Sequence, residues 1–200
     1  MKNLITTSCF LLIGLFGLNS ASLAQSVLYK NGSYSGTSLT LTLDTYITKL
    51  GNHSLNDAIS SVTVDSGYCV LLTKNSKFEG TAISYSVDTT GFGNFNDEAT
   101  SALLYEKNPA VSGCGYGSVP MLYKDSNSNG RSWPVTSSTL RPFCDTGSQN
   151  CTTIASSLYV PTSMCVYLEG SNGVTQYLFS GNHNLGTYNL NDKVTKATVC

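Results

Sequence analysis

Charge is what this chain has least of: 12% of its 200 residues are Asp, Glu, Lys or Arg, about half the share usual in globular domains. Its 11 basic and 12 acidic side chains leave a formal charge of −1. A protein that neutralises phosphates needs a basic field, so nucleic-acid binding is excluded. With two histidines there is little near-neutral base chemistry. No G-x-S-x-G elbow, HExxH helix, P-loop or Rossmann fingerprint occurs, and no enzyme activity is expected. C-x-x-C spacing is absent as well, which argues against thiolate metal binding. No window sustains a 3.6-residue apolar period, so long helices are not expected. The longest uncharged apolar stretch, Ile5 to Leu18, is about 14 residues, short of the roughly 20 that span a bilayer.

Gly, Ser, Thr and Asn fill the space that charge leaves, as in turn-rich β proteins. Twelve Tyr and seven Phe, with regularly placed Val, Leu and Ile, supply core material and exclude disorder. Lys2, the apolar stretch and Ser22-Leu23-Ala24 before Gln25 read as a signal peptide over residues 1–24 and predict a secreted protein. Without that leader the chain carries 10 − 12 = −2 charges and 7 − 1 = 6 cysteines: Cys69, Cys114, Cys144, Cys151, Cys165 and Cys200. An even count in an exported protein reads as up to three disulfides. Their connectivity stays open among fifteen arrangements, about which spacing says little beyond a small Cys144–Cys151 loop.

One segment is written several times. It runs Leu55-Asn56-Asp57-Ala58-Ile59-Ser60-Ser61-Val62, then Phe95-Asn96-Asp97-Glu98-Ala99-Thr100-Ser101-Ala102, then Leu190-Asn191-Asp192-Lys193-Val194-Thr195-Lys196-Ala197. Thr152-Thr153-Ile154-Ala155-Ser156-Ser157-Leu158 is a weaker copy. A second signature precedes each: Tyr29, Tyr34 and Gly36; Thr73, Phe78 and Gly80; Tyr123, Ser128 and Gly130; and a diverged Tyr167, Asn172 and Val174. From the first signature to the second the distances are 27, 23, 29 and 24 residues. Long and short units therefore alternate, which predicts two domains of two units each. The expected domains are 25–107 (motifs near 27–66 and 68–107) and 120–200 (motifs near 120–161 and 163–200), joined by 108–119. Leu39 to Leu43 and Ile83 to Val87 alternate apolar and polar with period two, so the units read as strands of all-β Greek-key sandwiches. Gly36, Gly80 and Gly130 are expected at positive φ in hairpins.

The aromatic-x4-aromatic-x-Gly turn followed by N/D-N/D-x-x-S/T-S resembles the βγ-crystallin family over nearly all of the chain beyond residue 24. That resemblance implies four Greek-key motifs whose strands are exchanged within each pair. It also implies two adjacent calcium sites where the Asn-Asp stretches of one domain meet. The implied ligands are Asn56, Asp57, Ala58 and Ser60 with Asn96, Asp97, Glu98 and Thr100, the hydroxyl of one stretch completing the site built on the other. Ala58 and Glu98, and one residue of each hairpin turn, would contribute carbonyls. Calcium is a hard ion that takes six to eight oxygens, and so few formal charges imply an affinity of roughly 10⁻⁵ to 10⁻³ M.

Asn-Asp before Ser or Thr is also ordinary turn chemistry, and a single copy would read so. Two complete copies in one domain tip the reading to Ca²⁺. In the second domain Thr152 and Thr153 replace one Asn-Asp pair and Lys196 replaces the last serine, so calcium is not expected there. The function predicted is therefore a secreted, non-enzymatic calcium-binding protein stabilised by its ions, with any extracellular or cell-surface partner unspecified. The alternatives are a protease inhibitor using the Ser112–Pro120 and Asp145–Thr152 loops, or a toxin or defence protein. His53 and His183 read as residues of surface turns, and Trp133 as a buried core ring rather than an exposed recognition aromatic.

Overall fold

Short stretches of β-branched and apolar residues separated by Gly, Asn and Ser build thirteen strands among the described residues. The computed structural model describes residues 25–43, 45–107, 114, 118–136, 139–140 and 154–200. The leader, most of the 108–119 segment, the Cys144–Cys151 loop and the Thr152-Thr153 step lie outside them.

The N-terminal domain holds β1 (Gln25–Asn31), β2 (Ser35–Thr42), β3 (Tyr46–Ile47), β4 (Ser61–Val64), β5 (Tyr68–Thr73), β6 (Ala82–Tyr85) and β7 (Ser101–Glu106). They form a three-stranded sheet, β2-β1-β4, and a four-stranded sheet, β3-β7-β5-β6. The motifs exchange strands. From the first motif, β3 joins the second motif's sheet through Tyr46 opposite Leu103 and Ile47 opposite Ala102, while Thr89 of the second motif bridges back to Val62.

The C-terminal domain repeats the plan with β8 (Met121–Asp125), β9 (Asn129–Pro134), β10 (Thr139–Leu140), β11 (Ser157–Gly170), β12 (Thr175–Asn184) and β13 (Val194–Val199). Here β11 runs through both motifs, pairing β8 through Ser157–Tyr159 and β13 through Val166–Gly170. A register shift between Val160 and Cys165 marks the junction. The exchange recurs as β10 against β13 and the Gly181–Asn184 end of β12 against Ser157–Val160. The architecture is all-β, with four Greek-key motifs in two domains.

Each hairpin signature has a steric reason. Tyr34, Phe78 and Ser128 have φ of 59°, 61° and 58°, and the glycines that follow have φ of 80°, 78° and 74°. A Cβ on Gly36, Gly80 or Gly130 would meet the side chain of Asn31, Asn75 or Asp125 at 2.7, 2.8 and 2.2 Å. Only glycine fits there. The last serine of the second signature then fastens each hairpin. The hydroxyl of Ser61 accepts from Tyr34 N–H (3.0 Å) and donates to Asn31 C=O (2.6 Å). Ser101 does the same for Phe78 N–H and Asn75 C=O, at 3.2 and 2.7 Å, and Ser157 for Ser128 N–H and Asp125 C=O, at 3.0 and 2.6 Å. In the fourth motif Lys196 stands in that place and donates to Glu169 Oε1 instead (3.0 Å). Its hairpin closes by backbone bonds at Gly170, Gly173 and Val174.

The two sheets of the N-terminal domain are buried differently. Leu28, Leu41, Val62, Val70, Leu72, Ala102 and Leu104 fill the space between them. On the back of the four-stranded sheet, Cys69, Leu71, Phe78, Leu103 and Tyr105 join a second cluster with Met121, Leu122, Trp133 and Val135 of the other domain. Trp133, 2% exposed, stacks on Tyr46 with centroids 5.1 Å apart and meets Phe78 edge-on at 5.4 Å. It is buried as expected, but at the domain interface rather than inside one sandwich. Tyr46 Oη donates to Pro134 C=O (2.9 Å) and Ser132 Oγ to Phe78 C=O (3.3 Å). Arg131 approaches Glu79 at 3.7 Å.

Cys69 pairs with Cys114, and Cys165 with Cys200, across Cα separations of 5.7 and 5.2 Å. The loops they close span 45 and 35 residues, for which chain entropy gives about 4 kcal/mol each. The first bond ties the inter-domain segment back onto β5, and Val119 of that segment is buried in the inter-domain cluster.

Candidate metal centre

Asp57 and Asp97 both adopt the left-handed conformation, with φ of 48° and 56°, a region that Asn and Asp tolerate better than other non-glycine residues. This bend lets each Asp N–H reach the opposite stretch: Asp57 N donates to Ala99 C=O (3.0 Å) and Asp97 N to Ile59 C=O (3.1 Å). Buried Leu55, Ile59, Phe95 and Ala99 hold the two stretches against the core from below. The corners therefore converge at one end of the domain.

Their side chains interlock reciprocally. Thr100 Oγ1 donates to Asp57 Oδ1 (3.2 Å), and Ser60 Oγ donates to Asp97 Oδ1 (3.0 Å). Each Asp also accepts at Oδ2 from its own neighbour, Asn56 or Asn96. Asn56, Asp57, Asn96 and Asp97 are exposed, Ala58, Glu98 and Thr100 are partly exposed, and Ser60 is buried. The Glu98 side chain is ion-paired with Lys74, which turns it aside and leaves its backbone as the available donor.

This arrangement can be tested against the ion's needs. Two oxygens that ligate calcium at 2.3–2.6 Å and lie 72–90° apart are roughly 2.7–3.7 Å from each other. The hydroxyl–carboxylate separations of 3.0 and 3.2 Å fall within that range. A hydroxyl has lone pairs to offer once it rotates its proton away. The donor set is all oxygen, suited to a hard cation and unsuited to zinc or copper. Among the described residues no group of three or more His, Cys, Asp or Glu is placed to hold a metal, so a mixed amide, hydroxyl and carboxylate site is what this surface offers.

The C-terminal domain keeps half of the arrangement. Asp192 has φ of 53° and donates its N–H to Ala155 C=O at 2.9 Å, while Asn191 bonds its carboxylate at 2.8 Å. The opposite corner falls on Thr152-Thr153, outside the described residues.

His53, itself exposed, ends the turn Leu50–His53, whose first residue Leu50 is buried in the core. His183, expected in a turn, lies instead on β12 and is partly exposed, its ring between Phe179 C=O (2.6 Å) and Tyr188 Oη (3.3 Å). Burial raises two phenols: Tyr85, stacked on Phe92 at 4.6 Å, is pushed up to about 12, and Tyr105 is raised above its ordinary value.

Sequence reasoning overlooked the hairpin-fastening serines Ser61, Ser101 and Ser157 as a class. Their signal was present, as the invariable last letter of three of the four copies.

These features define a class: two-domain Greek-key β-sandwiches with strands exchanged within each motif pair. No protein-family model matches the chain, and no curated protein does. Solved structures do. A βγ-crystallin domain from Clostridium beijerinckii is 30% identical, the match covering 40% of this chain and 97% of that one, with a TM-score of 0.38. A βγ-crystallin domain from Flavobacterium johnsoniae is 27% identical over 44% and 98%, TM-score 0.39. A clostrillin double mutant solved in complex with nickel is 29% identical over 41% and 98%, TM-score 0.39. Each match has the length of one of the two domains. In its doubled signatures and exchanged strands the chain is similar to these βγ-crystallin domains.

Proposed function

We propose that this is a secreted, non-enzymatic βγ-crystallin-type protein whose N-terminal domain, residues 25–107, binds two calcium ions that stabilise it. The observation that carries this reading is the reciprocal pairing of Ser60 with Asp97 and Thr100 with Asp57. Asn56, Asp57, Asn96 and Asp97, the carbonyls of Ala58 and Glu98, and the two hydroxyls would hold the ions. Bound calcium would replace the hydrogen bonds between the stretches with stronger ionic links and so favour the native state by mass action. Export is supported by disulfides, which persist in oxidising compartments. Among the described residues no helix is long and apolar enough to cross a membrane. Residues 120–200 form the second domain in this reading, and 108–119 joins the two.

Calorimetry and thermal melting test it. With calcium at about 100 times Kd, each site adds about 2.7 kcal/mol. At roughly 2–4 °C per kcal/mol the melting temperature rises by about 5–10 °C per site relative to chelator. Superimposed melting curves and no calcium heat would rule the reading out.

A further inference from the structure

The two corners sit on different sheets, and this makes them inequivalent. Ser60 leads into β4 of the three-stranded sheet, and the hairpin fastened by Ser61 packs Tyr34 against Tyr29 of its own motif, centroids 5.9 Å apart. Thr100 leads into β7 of the four-stranded sheet, whose Leu103 and Tyr105 face the other domain. Thr100 C=O accepts from Leu50 N–H (2.7 Å), and Thr100 N–H donates to Thr73 C=O (2.8 Å). The next residue, Ser101, holds Phe78 N–H at 3.2 Å, and Phe78 is the ring that meets Trp133. The proposed calcium ligand Thr100 is thus the immediate chain neighbour of Ser101, the clamp of the inter-domain hairpin.

The geometry points to a coupling between calcium at the Asp57–Thr100 corner and docking of the two domains, which the Asp97–Ser60 corner does not share. It rests on the calcium reading above. The element with two states is the interface: its apolar cluster holds the domains docked, and urea below the global transition weakens that burial and draws the docked state toward the open one. An ion that fixes Thr100 restricts Ser101 and the Phe78 hairpin to the docked arrangement. By linkage, docking must then strengthen calcium at that corner by the same factor.

Trp133 is the only tryptophan and lies at the interface, so its acrylamide quenching reads docking. Quenching of the full chain is measured with calcium and with chelator, in urea below the unfolding transition, beside calorimetric calcium titration. Calcium should lower quenching in the wild type and in Ser60→Ala, and fail to do so in Thr100→Ala. Tyr46→Phe with Ser132→Ala removes the inter-domain hydrogen bonds of Tyr46 Oη with Pro134 and Thr136 and of Ser132 Oγ with Phe78, without touching the corners. It should weaken one of the two calcium steps about fivefold or more, the lower end of usual coupling, and leave the other unchanged. Trp133→Leu, checked for folding by circular dichroism, should do the same. Calcium heat in the wild type with both steps unmoved in these variants, or quenching that responds equally in Ser60→Ala and Thr100→Ala, overturns the coupling alone. Absence of calcium heat in the wild type overturns the underlying reading and the coupling with it.

Discussion

The N- and C-terminal domains share a backbone and differ in what they hang on it. Asp57, Asp97 and Asp192 all sit at φ near 50°, at 48°, 56° and 53°, and each clasps a carbonyl of the partner motif. The left-handed aspartate is thus a hinge of the fold, useful wherever two motifs meet. In the N-terminal domain both corners also carry a hydroxyl aimed at the other's carboxylate. In the C-terminal domain the sequence offers Thr152-Thr153 where the second carboxylate would stand. The lesson is that scaffold and proposed ligand set are separable: the left-handed Asp serves the turn in both domains, and the crossed hydroxyls of the N-terminal domain are what the proposed ion site adds.

The sharpest way to break that comparison is at the contact between the halves. Trp133→Ala empties a nearly fully buried ring site and should cost about 3–5 kcal/mol, read as a fall in the urea midpoint. Next, Asp57→Ala with Asp97→Ala should weaken calcium by at least about a hundredfold, or about 2.7 kcal/mol, while Asp192→Ala leaves the calorimetric trace unchanged. A loss of calcium heat in Asp192→Ala would show that the second domain binds after all. Ser101→Ala strands the buried Phe78 N–H and should cost about 1–3 kcal/mol. Lys196→Ala, at the equivalent place in the fourth motif, removes only an exposed ion pair worth about 0–1 kcal/mol. Equal losses would contradict the role given to the serine.

The smallest effect is alkaline. The folded pKa of Tyr85, about 12, lies above the unfolded value near 10, so the folded state holds its proton longer. The associated stability is intact below about pH 10 and lost as pH rises from 10 toward 12. Tyr105, raised in the same direction, adds to the trend. Tyr85→Phe should flatten a plot of urea midpoint against pH in that window.

Much of this was legible in the residue order. Glycine at positions 36, 80 and 130 is forced by backbone sterics acting over a few residues, and such constraints leave a local mark. The Asn-Asp corners did so too, because the same step follows Gly36 by 20 residues and Gly80 by 16. What escaped was the second burial of the four-stranded sheet. Cys69-Val70-Leu71-Leu72 and Ala102-Leu103-Leu104-Tyr105 are continuous apolar runs, the pattern of strands covered on both faces, whereas β2 alternates and keeps one face in water. A period of two accounts for Ala102 and Leu104 facing one cluster and leaves the burial of Leu103 and Tyr105 on the other face unexplained. His183 misled for a related reason: Gly181-Asn182-His183-Asn184 has turn residues, yet pairing with Ser157–Val160 draws it into a strand.

By itself the sequence determined the all-β class, the four-fold repeat, the hairpin glycines and the oxygen-bearing character of the corners, since each depends on chemistry within a few residues. Tertiary structure alone decided that Thr100 reaches Asp57 and Ser60 reaches Asp97, that Cys69 pairs with Cys114 and Cys165 with Cys200, and that Trp133 joins two domains. Those contacts connect residues 35 to 87 positions apart. They follow from how strands are exchanged and stacked, which no short window of residues encodes.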